Sequence, residues 1–215
     1  ISVARRAMTR GRFITLEGIE GVGKTTNIEF LRELLEKKGI NALVTREPGG
    51  TPLAEDVRKV LLETRDESMD PITESLLIFA ARSQHVSTVI QPALNAGRWV
   101  LCDRYTDATY AYQGGGRGVA LETLERLAEF AQGSLWPDLT IYLDAPVDQA
   151  LARIANRQPD RFETEDSEFF ARVRARYLAI AESEERMVLI DATQSIEAVR
   201  LRLVSAIADF LEPQG

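Results

Sequence analysis

The segment Gly18-Ile19-Glu20-Gly21-Val22-Gly23-Lys24-Thr25 constrains the fold of this chain more than any other. It follows a short apolar run, Phe13–Leu16, and opens a stretch in which Ile28, Leu31 and Leu35 recur at helical spacing. It fits the pattern G-x-x-x-x-G-K-[ST], in which glycines let the backbone bend so that successive N–H groups point at a phosphate. The helix that follows, starting at Lys24, Thr25 and Thr26, adds partial positive charge at its N-terminus. Lys24 reaches the β- and γ-phosphates and the Thr25 hydroxyl ligates Mg²⁺. An exposed glycine-rich turn has the same composition but lacks the strand before and the helix after. The chain is therefore expected to bind a nucleoside triphosphate with magnesium, on an α/β scaffold.

The rest of the sequence agrees with that scaffold. Short apolar runs at Phe13–Leu16, Ala42–Thr45, Trp99–Cys102, Leu139–Leu143 and Met187–Ile190 read as buried strands. Between them lie stretches of helical spacing, such as Val89, Ala93 and Ala96, and this alternation predicts a five-stranded parallel sheet with helices on both faces. Gly39 and Gly97 are placed to end helices, and Pro52, Pro71 and Pro146 suit first helical turns. Residues 1–11 read as a flexible or vector-derived N-terminal segment, with Met8 a candidate initiator, and 12–215 as a single domain. With 26 Lys+Arg against 33 Asp+Glu, the net charge of -7 argues against a nucleic-acid partner. One cysteine, Cys102, and one histidine, His85, exclude a disulfide scaffold and a His-rich metal site. No apolar run approaches the roughly 18 residues of a membrane span, so a cytoplasmic protein without a membrane partner is the default. Cys102 reads as a small core residue and His85 as a partly exposed one.

Strand ends narrow the chemistry. Asp103 follows Trp99–Cys102 and suits the carboxylate that holds the hydration shell of Mg²⁺, although Asp144 and Asp191 also follow strands. The residue after Asp103 is Arg104, which offers a fork for an anionic substrate where ATP-hydrolysing enzymes commonly place a second carboxylate. Arg46 follows the second strand, so Arg46 and Arg104 would both lie at the C-terminal sheet edge beside the phosphate loop. Two guanidiniums there can clamp an acceptor phosphate. Glu20 is out of place electrostatically, since a carboxylate beside a triphosphate is repelled unless it has another task.

Taken together, Glu17-Gly18-x-Glu20-Gly21-x-Gly23-Lys24-Thr25, Thr45-Arg46-Glu47-Pro48-Gly49-Gly50-Thr51, Asp103-Arg104-Tyr105 and Ala111-Tyr112-Gln113-Gly114-Gly115-Gly116-Arg117-Gly118 resemble the bacterial thymidylate kinases, from about Phe13 to the C-terminal helix. The resemblance implies a P-loop NTPase fold, transfer of the ATP γ-phosphate to dTMP with Mg²⁺, and a homodimer. It implies that Glu20 bonds the dTMP 3′-hydroxyl and helps orient the acceptor, directly or through magnesium-bound water, and that Arg82 points at the thymine edge. It also places an aromatic one turn before Arg82, where this chain has Ile78, with Phe79 three residues before Arg82. Phe79 stacked on the base and Phe79 in the core are both open at this point. Thr109 and Gln113 stand at the family's spacing for base selection, with Tyr110 or Tyr112 near the sugar.

Two further segments read as candidate mobile loops. One is the glycine run 114–118, expected to be a flexible turn. The other is a short lid at about 150–167, where Arg153 and Arg157 lie four apart on a helix, Pro159 interrupts it and Arg161 follows. The phosphate loop has no basic residue between Gly18 and Gly23, so lid arginines are expected to supply charge at the transferred phosphoryl. The alternatives are another nucleotide or deoxynucleoside kinase, or an ATP-dependent switch that hydrolyses slowly.

Overall fold

The computed structural model describes residues 10–156 and 159–212. Five strands, β1 (Phe13–Glu17), β2 (Ala42–Arg46), β3 (Trp99–Asp103), β4 (Leu139–Asp144) and β5 (Met187–Asp191), form one parallel sheet in the order β2-β3-β1-β4-β5. Every residue of β1 is buried, as expected for the central strand of a sheet covered on both faces. The chain leaves β1 toward β2 and β3 on one side and crosses to β4 and β5 on the other. The crevice at the C-terminal end of β1 is thus the switch point, where ligands of open α/β sheets bind.

Helices α1 (Lys24–Lys37), α2 (Pro52–Leu62), α3 (Pro71–His85), α4 (Gln91–Asn95), α5 (Thr106–Thr109), α6 (Leu121–Gln132), α7 (Val147–Ala152), α8 (Ser167–Ser183) and α9 (Ile196–Leu211) complete the layers. Thr51 and Asp70 cap α2 and α3 through their side chains, each followed by a proline in the first turn. Gly39 and Gly97 take positive φ just past α1 and α4. Pro146 stands one position outside α7, as its N-cap. A π-helical turn, Val86–Ile90, joins α3 to α4.

Three sequence expectations change here. The glycine run is helical rather than a mobile turn: Tyr110–Gly116 form a π-helical segment continuing α5. The glycines serve close packing, since a Cβ on Gly116 would lie 2.5 Å from the Phe169 ring and one on Gly115 2.9 Å from the Arg172 carbonyl, both on α8. His85 is fully buried. Finally, α7 stops at Ala152, so Arg153 is the helix's C-terminal cap instead of an interior residue. Within the N-terminal segment, Gly11 N–H donates to Leu94 O at 2.8 Å and Arg10 pairs with Asp138. Residues 1–9 lie outside the described residues.

Candidate active site

The phosphate loop joins β1 to α1. Its glycines at 18, 21 and 23 all have positive φ, and Gly21 is further constrained because a Cβ there would meet the Ala150 carbonyl of α7. Helix α1 opens at Lys24 with Gly23 as N-cap and no side-chain cap, which leaves its first N–H groups to a ligand. The Lys24 ammonium donates to Gly18 O at 2.9 Å and Ile19 O at 2.8 Å. Burial, then repulsion from Arg104, presses its pKa down to about 8 against the pull of Asp103 and Glu20.

Of the strand-end carboxylates, Asp144 is engaged by Arg174 at 2.8 Å on both oxygens and by the Tyr142 hydroxyl. Asp191 accepts from Thr193 and Gln194. Asp103 has a buried Oδ1 without a hydrogen-bond partner among the described residues, at the end of β3 beside Leu16 of β1. That unpartnered oxygen, with the exposed Thr25 at the start of α1, suits an octahedral cation completed by water and phosphate. Among the described residues there is no cluster of His, Cys, Asp and Glu that would form an all-protein metal cage.

A second cleft adjoins the loop. Its walls include Glu20, Pro48, Arg58, Ile78, Arg82, Arg104, Thr109, Tyr112 and Gln113. Glu20 belongs to both sites: its carboxylate accepts from Arg104 Nη2 at 2.7 Å and from the Tyr112 hydroxyl at 2.5 Å. Burial raises the Glu20 pKa, but Arg104, Lys24 and the Tyr112 hydroxyl outweigh it and hold the carboxyl below its ordinary range. Arg104 has φ 70, an uncommon conformation for a side chain of this size. Three contacts hold it: Arg104 N–H to Leu16 O at 3.0 Å, Cys102 S–H to Arg104 O at 3.1 Å, and Tyr105 N–H to Glu17 Oε1 at 2.7 Å. Burial and then Asp107 push the Glu17 carboxyl up to about 7.

Arg82 lies deep in the cleft. Its Nε donates to Glu47 Oε2 at 2.6 Å and its Nη2 to the Thr109 hydroxyl at 2.9 Å, while Nη1 is buried with no partner among the described residues. His85 closes this network, with Nδ1 2.9 Å from Glu47 Oε1 and Nε2 2.7 Å from Thr45 Oγ1. A free guanidinium nitrogen in such a site calls for an acceptor on a ligand.

Several expected residues stand elsewhere. Phe79 turns into the core, 4.9 Å from the Arg82 guanidinium, and Ile78 lines the cleft instead. The reason is helical rotation, which puts a residue four before Arg82 on the Arg82 stripe and one three before it to the side. Arg46 is 53% exposed and pairs with Glu55 at 2.8 Å. Arg58, which sequence reasoning missed, stands in the cleft wall with Nη1 donating to Pro48 O at 3.0 Å. Burial, then Arg46 and Arg104, lowers its pKa, so the three guanidiniums feel one another. The signal for Arg58 was weak: an arginine on an amphipathic helix looks like a solvated one. Of the lid arginines, Arg153 lies over the phosphate loop, donating to Gly21 O at 3.4 Å and Ala192 O at 3.0 Å. Arg161 turns the other way, onto Leu61 O at 2.7 Å and Glu74. Arg157 lies outside the described residues.

A glycine loop of phosphate-binding pattern and a guanidinium-lined cleft, joined by one shared carboxylate, agree with what the chain is similar to. The family profile described as thymidylate kinase matches residues 16–202. The chain belongs to the thymidylate kinase family. A thymidylate kinase of Alkalilimnicola ehrlichii is 54% identical over 204 residues, covering 94% of each chain. One of Teredinibacter turnerae is 52% identical, over 94% of this chain and 99% of the relative. One of Pseudomonas putida strain GB-1 reaches 56% over 88% of this chain and 91% of its own. The matched span of the thymidylate kinase profile includes both the phosphate loop and the residues lining the second cleft.

Proposed function

We propose that the chain transfers the γ-phosphoryl of ATP to dTMP, giving dTDP and ADP. The observation that carries this reading is Glu20, which belongs to the phosphate loop yet takes its hydrogen bonds from Arg104 and Tyr112 of the neighbouring cleft. Donor and acceptor phosphates are thereby set side by side, which is most of what phosphoryl transfer needs from a protein. In this reading ATP lies on Gly18, Ile19, Gly21, Val22, Gly23, Lys24, Thr25 and Thr26, and dTMP in the second cleft. Thr25 and Asp103 would hold Mg²⁺, which when bound spreads charge from the phosphate oxygens. Arg104 and Arg58 meet the acceptor phosphate, with Arg46 at the rim. Arg82 gives its unpartnered Nη1 to the pyrimidine edge while Thr109 and Glu47 keep the guanidinium flat. Gln113 completes base reading, and Tyr112 fills the space beside the sugar. Of the two described lid arginines, Arg153 is the one beside the phosphate loop and so the nearer to the transferred phosphoryl.

A homodimer is part of the same reading, supported by apolar side chains left outside α2, α3 and α6: Leu53, Ile72, Leu76 and Phe130. A cytoplasmic location fits a chain in which, among the described residues, no helix is long and apolar enough to cross a membrane. One assay separates this reading from its competitors: ADP release with dTMP, dUMP, dCMP, thymidine or no acceptor. Turnover should require an acceptor and favour dTMP. Acceptor-independent turnover would point to a switch, and preference for thymidine to a nucleoside kinase.

A further inference from the structure

We propose that Glu74 is a positioning residue for the acceptor: its carboxylate fixes the Gln113 amide in the cleft wall and, with the same two oxygens, fastens the strap of residues 159–165 along the cleft. The proposal rests on the reading above for what occupies the cleft. Glu74 is fully buried on α3, four and eight residues before Ile78 and Arg82, so it continues the stripe that faces the cleft. A carboxylate taken out of water is costly unless it is paired, and this one gathers partners from three separate parts of the chain. Gln113 Nε2 donates to Oε1 at 2.7 Å. Arg117 Nε lies 3.3 Å from the carboxylate, and Arg161 Nη2 lies 2.7 Å from Oε2, an ion pair whose geometry is not that of a hydrogen bond.

Each partner carries the link onward. Arg161 belongs to the strap and is held at both ends, its backbone N–H on Leu62 O at 3.2 Å and its Nε on Leu61 O at 2.7 Å. Arg117 pairs through Nη1 with Glu165 of the strap at 2.6 Å. Between the two guanidiniums lies Phe162, with Arg161 4.5 Å and Arg117 5.7 Å from its ring centre. Phe162 lines the cleft with Asp160, and its ring stands edge-on to Tyr112 at 5.9 Å. Tyr112 in turn bonds Glu20. An ionised carboxylate only accepts, so Gln113 must offer it Nε2, which turns Gln113 Oε1 away from Glu74. Glu74 thus decides which face of that amide a nucleotide base meets. Without its charge, Arg117 would keep Glu165 alone and Arg161 only the Leu61 and Leu62 carbonyls, so the strap would be fastened more weakly.

The test is Glu74→Gln, which keeps the shape and removes the charge. The KM for dTMP should rise about tenfold, the loss expected for one charge-assisted contact. The KM for ATP should stay within about twofold, since no Glu74 partner touches the phosphate loop. Hydrogen–deuterium exchange should speed up in peptides covering 159–166 and stay unchanged over β1 and the phosphate loop. Arg161→Ala should raise strap exchange and the KM for dTMP as well, and the double variant should cost less than the product of the two. Wild-type values of both the KM for dTMP and strap exchange in Glu74→Gln would overturn the proposal. So would an equal rise in KM for both nucleotides, which marks a general loss of structure. If Glu74→Gln does not fold, Arg161→Ala and Arg117→Ala decide the matter, and an unchanged KM for dTMP in both overturns it. Absence of dTMP-dependent turnover in the wild-type protein would sink the functional reading instead, with strap exchange still reporting on the fastening.

Discussion

Lys24 sets a pH dependence that belongs to the residue scale. Its ammonium is pressed to about 8 by burial and Arg104 in the free protein, so the cation proposed to meet the triphosphate is lost as pH rises through that value. The kcat/KM for ATP, which reports free-enzyme groups, should fall about tenfold per pH unit above about 8. A bound triphosphate restores the charge, so kcat should decline only at higher pH. A kcat/KM profile flat to about pH 9.5 would contradict this. Glu20→Gln is the second residue-scale prediction. It frees Arg104 and Tyr112, so kcat should fall about a hundredfold while the KM for ATP moves less than about threefold. Steady-state kinetics in both substrates checks it, and a rise in the KM for ATP with kcat intact would assign Glu20 to triphosphate binding. The loop residues were legible because their spacing is itself the chemistry. His85 and Arg58 were not, because their roles depend on partners distant in sequence, Glu47 for one and Pro48 for the other.

At the scale of elements, each of the five strands runs one residue beyond its apolar run, and that residue is charged every time: Glu17, Arg46, Asp103, Asp144 and Asp191. Hydrophobic patterning stops where the sheet leaves the core, and the C-terminal edge is where this fold keeps its working charges. The strands could therefore be read to within one residue, and two of the residues just past the apolar runs, Arg46 and Asp103, are the strand-end candidates for the site, while Asp144 and Asp191 are engaged by neighbouring side chains. The glycine run at 114–116 misled for a related reason. Glycine supplies turns, but it also supplies close approach, and only the presence of α8 tells the two apart. Gly116→Ala should force Phe169 aside and cost about 1–3 kcal/mol. A chain of this size would then lose about 2–10 °C in Tm. Gly118→Ala, where the added Cβ meets nothing within 4 Å but φ is +77, should cost only the left-handed backbone term of about 1–2 kcal/mol. Thermal unfolding of the pair separates packing from backbone strain, and a Gly116→Ala protein as stable as wild type would restore the mobile-turn reading.

For the whole molecule, α3 poses the question of assembly. Its buried stripe carries Glu74, Arg82 and His85, while its outer stripe carries Ile72, Leu76 and Ala80, an inversion of the usual surface helix. The inward charges are paired with Glu47 and Gln113 around the cleft, while nothing among the described residues covers the outward apolar ones. Neighbouring α2 and α6 also leave apolar side chains exposed, Leu53 and Phe130, the latter 90% exposed. A second copy meeting this face along a two-fold axis would cover it with the same residues. Because the inner stripe of α3 lines the cleft proposed for dTMP, pairing the outer stripes would brace two such clefts at once. Leu76→Asp combined with Phe130→Asp should therefore shift the protein from dimer to monomer in light scattering. The thermal midpoint should become independent of protein concentration. The KM for dTMP should rise more than that for ATP, since α3 lines only the acceptor cleft. A double variant that stays dimeric would move the interface elsewhere, and one that is monomeric with both KM values unchanged would separate assembly from the cleft.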